Sequence, residues 1–239
     1  MSVQSANSVA NGHMQITSSL LDYRQPYTFM FWARLVTDLN TWTGLWGISQ
    51  TTDFGDYDEV QTSTDGLIMK PEISVDGTTD SGTGDLSMTV GTWFHIALVM
   101  NGTTFKMYNS GVEFNSTTMP GDETARSAAT NMMLGGNSRW EDTSVISFFA
   151  CKAWEAALSA AEIANEARIV VPSRFANLYG FWPLWNTGDA KDYFGGHHWT
   201  VGSSCTSSDN PPIPYCAIPD NRIYIPAVVG GSRRIFLIS

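Results

Sequence analysis

An all-β antiparallel fold with a single short helix is what this 239-residue sequence predicts, and three observations carry that expectation. The first is the stretch 93–112, WFHIALVMNGTTFKMYNSGV, in which an apolar run through Met100 meets Asn101-Gly102. A second run with Phe105 and Met107 follows, and Gly111 breaks it. Asn-Gly between two such runs is a strong hairpin signal, because both central residues of a type I′ turn need positive φ. The second observation is that charged residues make up only 15% of the chain while Gly, Ser, Thr and Asn are plentiful, which suits strands clothed in Thr and Ser and joined by many turns. The third is a helix signature at Ser159-Ala-Ala-Glu162, a capping box in which the Ser hydroxyl accepts from the third helical N–H and Glu162 reaches back. The Ala- and Glu-rich residues 160–168 behind it favour a helix.

The remaining elements follow in order. Residues 13–16 alternate apolar and polar. Tyr27–Leu35 is a strong strand whose Phe29, Phe31, Ala33 and Leu35 form the expected core face, with Thr28, Met30, Trp32 and Arg34 on the other. Residues 43–49 make a short aromatic strand. Pro71 within 66–75 marks that strand as broken, bulged or at an edge. Strands over 86–90 and 132–134 precede Gly135-Gly136, and 145–154 is a long strand leading to the helix. Residues 177–184 read as a returning strand. A Pro- and Ser-rich stretch over 203–219 separates it from two β-prone segments around Gly230-Gly231 at the C-terminus.

Several separated phrases between residues 27 and 168 share an order with a known family. They are Phe29-x-x-Trp32, then Trp93-x-His95-Ile-Ala-Leu-Val, Asn101-Gly-Thr-x-Phe-Lys-x-Tyr108, Leu134-Gly-Gly136 and Ala157-Leu-Ser-Ala-Ala-Glu-Ile163. The chain resembles the LamG-like domains of the concanavalin A-like lectin/glucanase superfamily. That resemblance implies an antiparallel jelly-roll β-sandwich over residues 1–202, followed by a linker and an extended C-terminal arm over 203–239. The strand before the helix departs from the family, whose Asp-Glu-Val-Arg-Ile-Tyr-Asn-Arg phrase is replaced by Phe148-Phe-Ala-Cys-Lys-Ala-Trp154. As a whole the chain is similar to LamG-like proteins of tailed-phage virions. This implies a non-enzymatic virion surface protein, capsid or tail proteins and further copies of the chain as partners, and cell-surface glycans as a second class of ligand.

A formal charge of −10 argues against a nucleic-acid binder, which needs a basic footprint. The N-terminus lacks a basic start and an apolar core, and no run approaches the roughly 18 apolar residues of a membrane span. Synthesis in a host cytoplasm and release by a route such as lysis is the expectation. Cys151, Cys205 and Cys216 are too few and odd in number for a disulfide framework, so free thiols are expected, with a Cys205–Cys216 loop as the alternative.

Candidate sites are few. The glucanase branch carries a Glu-x-Asp-x-Glu phrase that sets carboxylates on one strand face, and no Glu here is followed two residues on by Asp. No catalytic residue is therefore expected. The acidic cluster Asp53, Asp56, Asp58 and Glu59 is the candidate calcium site, since a hard cation takes several carboxylate oxygens. Trp42, Trp46, Phe54 and Tyr57 beside it are the candidate glycan platform, rings that stack on sugar faces. His95 is expected to be structural, and His197-His198 point oppositely on an extended chain. Arg222, Tyr224, Arg233, Arg234 and Phe236 mark the C-terminal arm as an assembly element, its apolar β-prone segments needing a strand partner.

Overall fold

The structure, a computed structural model, describes residues 2–4, 12–18, 20–37, 44–50, 55–62, 67–121, 126–136 and 145–211, together with the backbone of 223–229 and 232–238. Two antiparallel eight-stranded sheets pack as a sandwich. The first runs β11 (Val112–Thr118), β10 (Thr104–Asn109), β9 (Trp93–Asn101), β3 (Tyr27–Leu35), β13 (Ile146–Trp154), β1 (Ser2–Gln4) and β16 (Thr206–Ser208), with β14 (Leu178–Trp182) also pairing with β13. The second runs β15 (Thr200–Val201), β2 (Met14–Ile16), β12 (Asn131–Leu134), β4 (Gly44–Ser49), β5 (Tyr57–Thr62), β6 (Ile68–Val75) and β7 (Thr78–Asp80), with β8 (Leu86–Ser87) alongside β6. Pairing of β16 with β1 carries the sandwich on to Ser208.

The expected face of β3 does point inward. Phe29, Phe31, Ala33 and Leu35 join Ile96, Leu98 and Met100 of β9 and meet Trp46, Ile48, Val60 and Ile73 of the second sheet in one core. Each of the Phe, Leu, Ile, Val and Met side chains among these, fully buried, contributes about 1.5–3 kcal/mol of transfer free energy. The outer face of the first sheet is also covered. Met30, Ala97, Val99 and Trp154 pack under Leu158 and Ile163 of the helical segment, and Phe149 and Ala150 pack with Val170 and Phe181. Every residue of β13 is consequently buried, although a strand with one wet face would alternate. A bulge adds to this: Ala150 has φ 50°, and the register with β3 shifts between Phe149 and Lys152. Ile146 and Phe148 face the core before it, Cys151 and Ala153 after it.

Lys152 lies on the covered side and is 1% exposed. Its Nζ donates to Glu166 Oε2 and to the carbonyls of Glu166 and Ile169, each at 2.8–2.9 Å. Burial draws its pKa down to about 8, against the opposing pull of Glu166. The other oxygen of Glu166 accepts from the N–H groups of Ser173 and Arg174. This buried cluster fastens the end of α1 (Ala160–Glu166) and the chain after it to the sheet. The helix itself begins with the capping box foreseen at Ser159 and Glu162.

The leading hairpin differs from expectation by one residue. Thr104 pairs with Asn101, so the loop is Gly102-Thr103, and of these Gly102 alone has positive φ, at 61°. A two-residue loop with glycine first is the type II′ solution. Two positive-φ residues do occur in the next turn, Ser110 (52°) and Gly111 (87°), joining β10 to β11. Gly111 is doubly required, since a Cβ there would meet Ala164 Cβ at 2.5 Å. Pro71 sits in β6 between the residues paired with β8 and those paired with β7, where one side of the strand lacks a neighbour and the missing N–H is tolerated.

At the C-terminus, β17 (Ile223–Val229) and β18 (Ser232–Ile238) pair with each other as a separate two-stranded sheet. The expected extended arm is thus a hairpin, Gly230-Gly231 falling between its strands. Cys151 and Cys205 carry free thiols, and Cys216 lies outside the described residues. Among the described residues, no helix is long and apolar enough to cross a membrane.

Candidate functional site

Strand alternation splits the acidic cluster. Asp58 shares the inward face of β5 with Val60, whereas Tyr57, Glu59 and Gln61 face outward. Asp58 is fully buried and accepts from Arg126 Nη2 at 2.5 Å and from the Tyr27 hydroxyl at 2.8 Å. Arg126, equally buried, lies 4.0 Å over the Tyr23 ring and donates to the Tyr23 carbonyl. Burial pushes the Asp58 carboxyl upward, and the guanidinium pulls against that shift. Tyr27 belongs to the first sheet and Asp58 to the second, so this is a polar bridge through the sandwich. Asp56 spends its two oxygens on the backbone N–H groups of Asp76 and Ser127, at 2.9 and 2.8 Å.

These bonds give Asp56 and Asp58 of the candidate calcium cluster separate partners within the protein. Asp56 and Asp58 point in different directions and hold protein donors, and Glu59 is 0% exposed on the opposite face from Asp58. Among the described residues no three of His, Cys, Asp and Glu converge as ligands would. Asp53 lies outside the described residues.

Two rings of the candidate aromatic platform fall among the described residues, and both are buried. Trp46 is 0% exposed and stacks on Phe29 with centroids 5.1 Å apart, its ring part of the core. Tyr57 is 1% exposed and donates its hydroxyl to Glu72. Neither ring offers a face to a ligand, and Trp42 and Phe54 lie outside the described residues. The same outward face of β5 and β6 holds an arrangement that a scan along one strand misses. Glu59 stands directly opposite Glu72 in the register. Cross-strand positions bring Cβ atoms to about 5 Å, the order of spacing at which retaining glycosidases set their carboxylates. Glu72, however, accepts from Tyr57 and from Gln61 Nε2 at 2.8 Å, and Glu59 has no solvent contact. Glu72 is thus tied by hydrogen bonds to neighbouring side chains of β5, and Glu59 is sealed from solvent beside it.

His95 is 2% exposed and meets Trp32 edge-on at 5.4 Å. Burial first, and then the Lys152 charge, push its pKa down to about 3 from the ordinary 6.5. Between those values the unfolded chain binds a proton that the folded one excludes, so stability is present above pH 6.5 and lost as pH falls toward 3. The loss amounts to about 5 kcal/mol. His95→Leu is expected to flatten stability over that window, measured by guanidinium unfolding at pH 4 and pH 7; an unchanged difference between the two pH values would refute it. His197 stacks flat on Tyr179 at 4.1 Å, and His198 Nδ1 accepts from the Asp192 N–H. The adjacent histidines do separate jobs.

An open cleft of about 690 Å³ lies elsewhere, at one end of the first sheet. Asp22, Gln25 and Pro26 line it from the segment entering β3, Asn101 from the end of β9, and Glu155 with Ala156 and Ala157 from the end of β13. Its walls are fixed. Gln25 N–H donates to the Asp22 carbonyl at 3.0 Å, Glu155 N–H to the Asn177 carbonyl at 2.8 Å, and Thr28 Oγ1 to the Ala156 carbonyl at 2.8 Å. In the sequence Asn101 reads as turn chemistry and Ala157 as part of a family phrase, and nothing there joins the lining residues, because they come from three distant segments.

Residues 8–164 match the family model described as the concanavalin A-like lectin/glucanases superfamily, of the laminin G type. The chain belongs to this superfamily. A search of curated proteins found none that matches this lectin-fold chain. Among solved structures, it is similar to a putative carbohydrate binding protein from Bacteroides ovatus, at 13% identity and TM-score 0.61, over 88% of this chain and 61% of that one. It therefore spans less than two thirds of that protein's length. It is also similar to a heptameric SAP-like pentraxin from Limulus polyphemus, at 12% identity and TM-score 0.53, over 70% of this chain and 82% of that one. At such identities the likeness is one of fold.

Proposed function

We propose that this chain is a non-enzymatic structural or decoration protein of a bacteriophage particle. The lectin-fold sandwich is displayed on the virion surface, and the C-terminal segment makes the assembly contacts with other virion proteins and with copies of the chain. The observation that carries this reading is the pairing of β17 with β18 and with no strand of the sandwich among those described. An isolated two-stranded hairpin is marginal in water and offers its outer edges to a neighbouring sheet. Strand addition supplies affinity through main-chain hydrogen bonds. Arg222, Arg233 and Arg234 would suit docking on the acidic surface of another copy, the chain carrying a charge of −10. Deleting residues 220–239 is expected to convert an oligomer into a monomer in size-exclusion chromatography with light scattering. Identical assembly of the truncated chain would remove the hairpin from that role.

Glycan adhesion is the second reading, supported by membership of a lectin-bearing superfamily and by the likeness to a protein described as carbohydrate-binding. A glycan array, run with and without calcium, tests it, and no binding to any glycan would sink it. Hydrolysis is the least supported reading, since Glu59 is sealed and Glu72 is engaged by Tyr57 and Gln61. Release of reducing sugar by the purified protein would overturn the non-enzymatic assignment.

A further inference from the structure

We infer that the cleft between the entry to β3 and the ends of β9 and β13 is the ligand site of the sandwich and takes a neutral, hydroxyl-rich molecule, an uncharged saccharide unit. This deepens the adhesion reading and rests on it. A volume of about 690 Å³ lies within the range of small-molecule pockets and far exceeds what a single ion needs. The polar groups fit hydroxyls. Glu155 supplies carboxylate acceptors, and the amides of Gln25 and Asn101 supply both donors and acceptors. Pro26, Ala156 and Ala157 supply apolar surface for the C–H face of a sugar ring.

Charge narrows the class further. Asp22 and Glu155 are the ionisable residues of the lining, and the cation beside them, Arg24, is paired with Asp22. An acidic sugar would therefore face the Glu155 carboxylate with the Arg24 charge already engaged by Asp22. A divalent cation fits poorly, because Asp22 spends both oxygens on Arg24, at 2.8 and 3.1 Å, which leaves Glu155 as the remaining carboxylate. Asn101 ends β9, and Ala156, just past β13, is tied by its carbonyl to Thr28 of β3, so the site needs no ordering step before it binds.

The test is nuclear magnetic resonance titration of the full chain with maltotriose, laminaritriose and N,N′,N″-triacetylchitotriose, set against 3′-sialyllactose and calcium chloride. At least one neutral trisaccharide is expected to shift the backbone amides of Asn101, Ala156 and Ala157 and the side-chain amides of Gln25 and Asn101. Sialyllactose and calcium are expected to leave them in place. Combining Gln25→Ala with Glu155→Ala is expected to weaken that binding about tenfold or more, while near-ultraviolet circular dichroism stays unchanged. Neutral sugar binding that maps to another surface overturns the cleft and leaves the adhesion reading standing. A response to calcium or sialyllactose alone overturns the ligand class. No response to any sugar overturns the cleft, and failure on the glycan array as well removes the adhesion reading with it.

Discussion

Arg126→Met is expected to destabilise the folded protein by about 3–5 kcal/mol at neutral pH, because it strands the Asp58 carboxylate in the core without its partner. Both side chains are 0% exposed, and their contact is 2.5 Å. The remaining donor to Asp58 is the Tyr27 hydroxyl, a neutral group that offsets little of the desolvation of a charge. Guanidinium unfolding of wild type and variant measures the difference. The variant also carries a pH signature. Without Arg126 the folded-state pKa of Asp58, already raised by burial, climbs further above its unfolded value. The folded chain then holds a proton that the unfolded chain has released, so the variant loses stability as pH rises from about 4 toward neutrality. Adding Asp58→Leu removes the stranded charge, and the double variant is expected to be more stable at pH 7 than Arg126→Met by itself. A single variant that unfolds like wild type at pH 7 would mean that the pair contributes nothing to the bridge.

The same pair shows where sequence reading stops. Asp58 was visible as one of four acidic residues in a short segment, and proximity along the chain made a cation the natural partner. Its actual partner is 68 residues away, on a loop with no distinguishing motif. Alternation along β5 was the signal available, since it sends Asp58 and Glu59 to opposite faces before any partner is known. The cross-strand pair Glu59 and Glu72 is a further case: it is a property of register between β5 and β6, which no phrase within one strand encodes.

Local signals performed better where a single segment decides the outcome. Tyr27–Leu35 was legible to the residue because period-two alternation holds over its whole length. The capping box was legible because all its atoms lie within four residues. The hairpin was legible in existence and displaced by one residue in register, since Asn101-Gly102 and Gly102-Thr103 both offer a glycine at a central position. Alternation failed in β13, where Ala150 adopts a positive φ that its side chain does not advertise and reverses the parity of every residue beyond.

Trp46→Ala is expected to cost about 3–5 kcal/mol, the range for deleting a large aromatic from a packed core. The ring touches Phe29 at 5.1 Å and Tyr27 at 6.3 Å, both on the opposite sheet, so the cavity would open between the two layers. The Trp46 indole N–H has no acceptor among the described residues. Replacement by Phe therefore gives up volume but no hydrogen bond, and Trp46→Phe is expected to stay within about 1.5 kcal/mol of wild type. The two variants separate the roles that this tryptophan was a candidate for. A platform tryptophan sits at the surface, so its loss would abolish sugar binding and leave the unfolding midpoint where it was. A core tryptophan shows the reverse: the midpoint falls steeply with Ala and little with Phe, and sugar binding by the molecules that remain folded is unchanged. Thermal unfolding of both variants, with a glycan titration below the transition, decides between them.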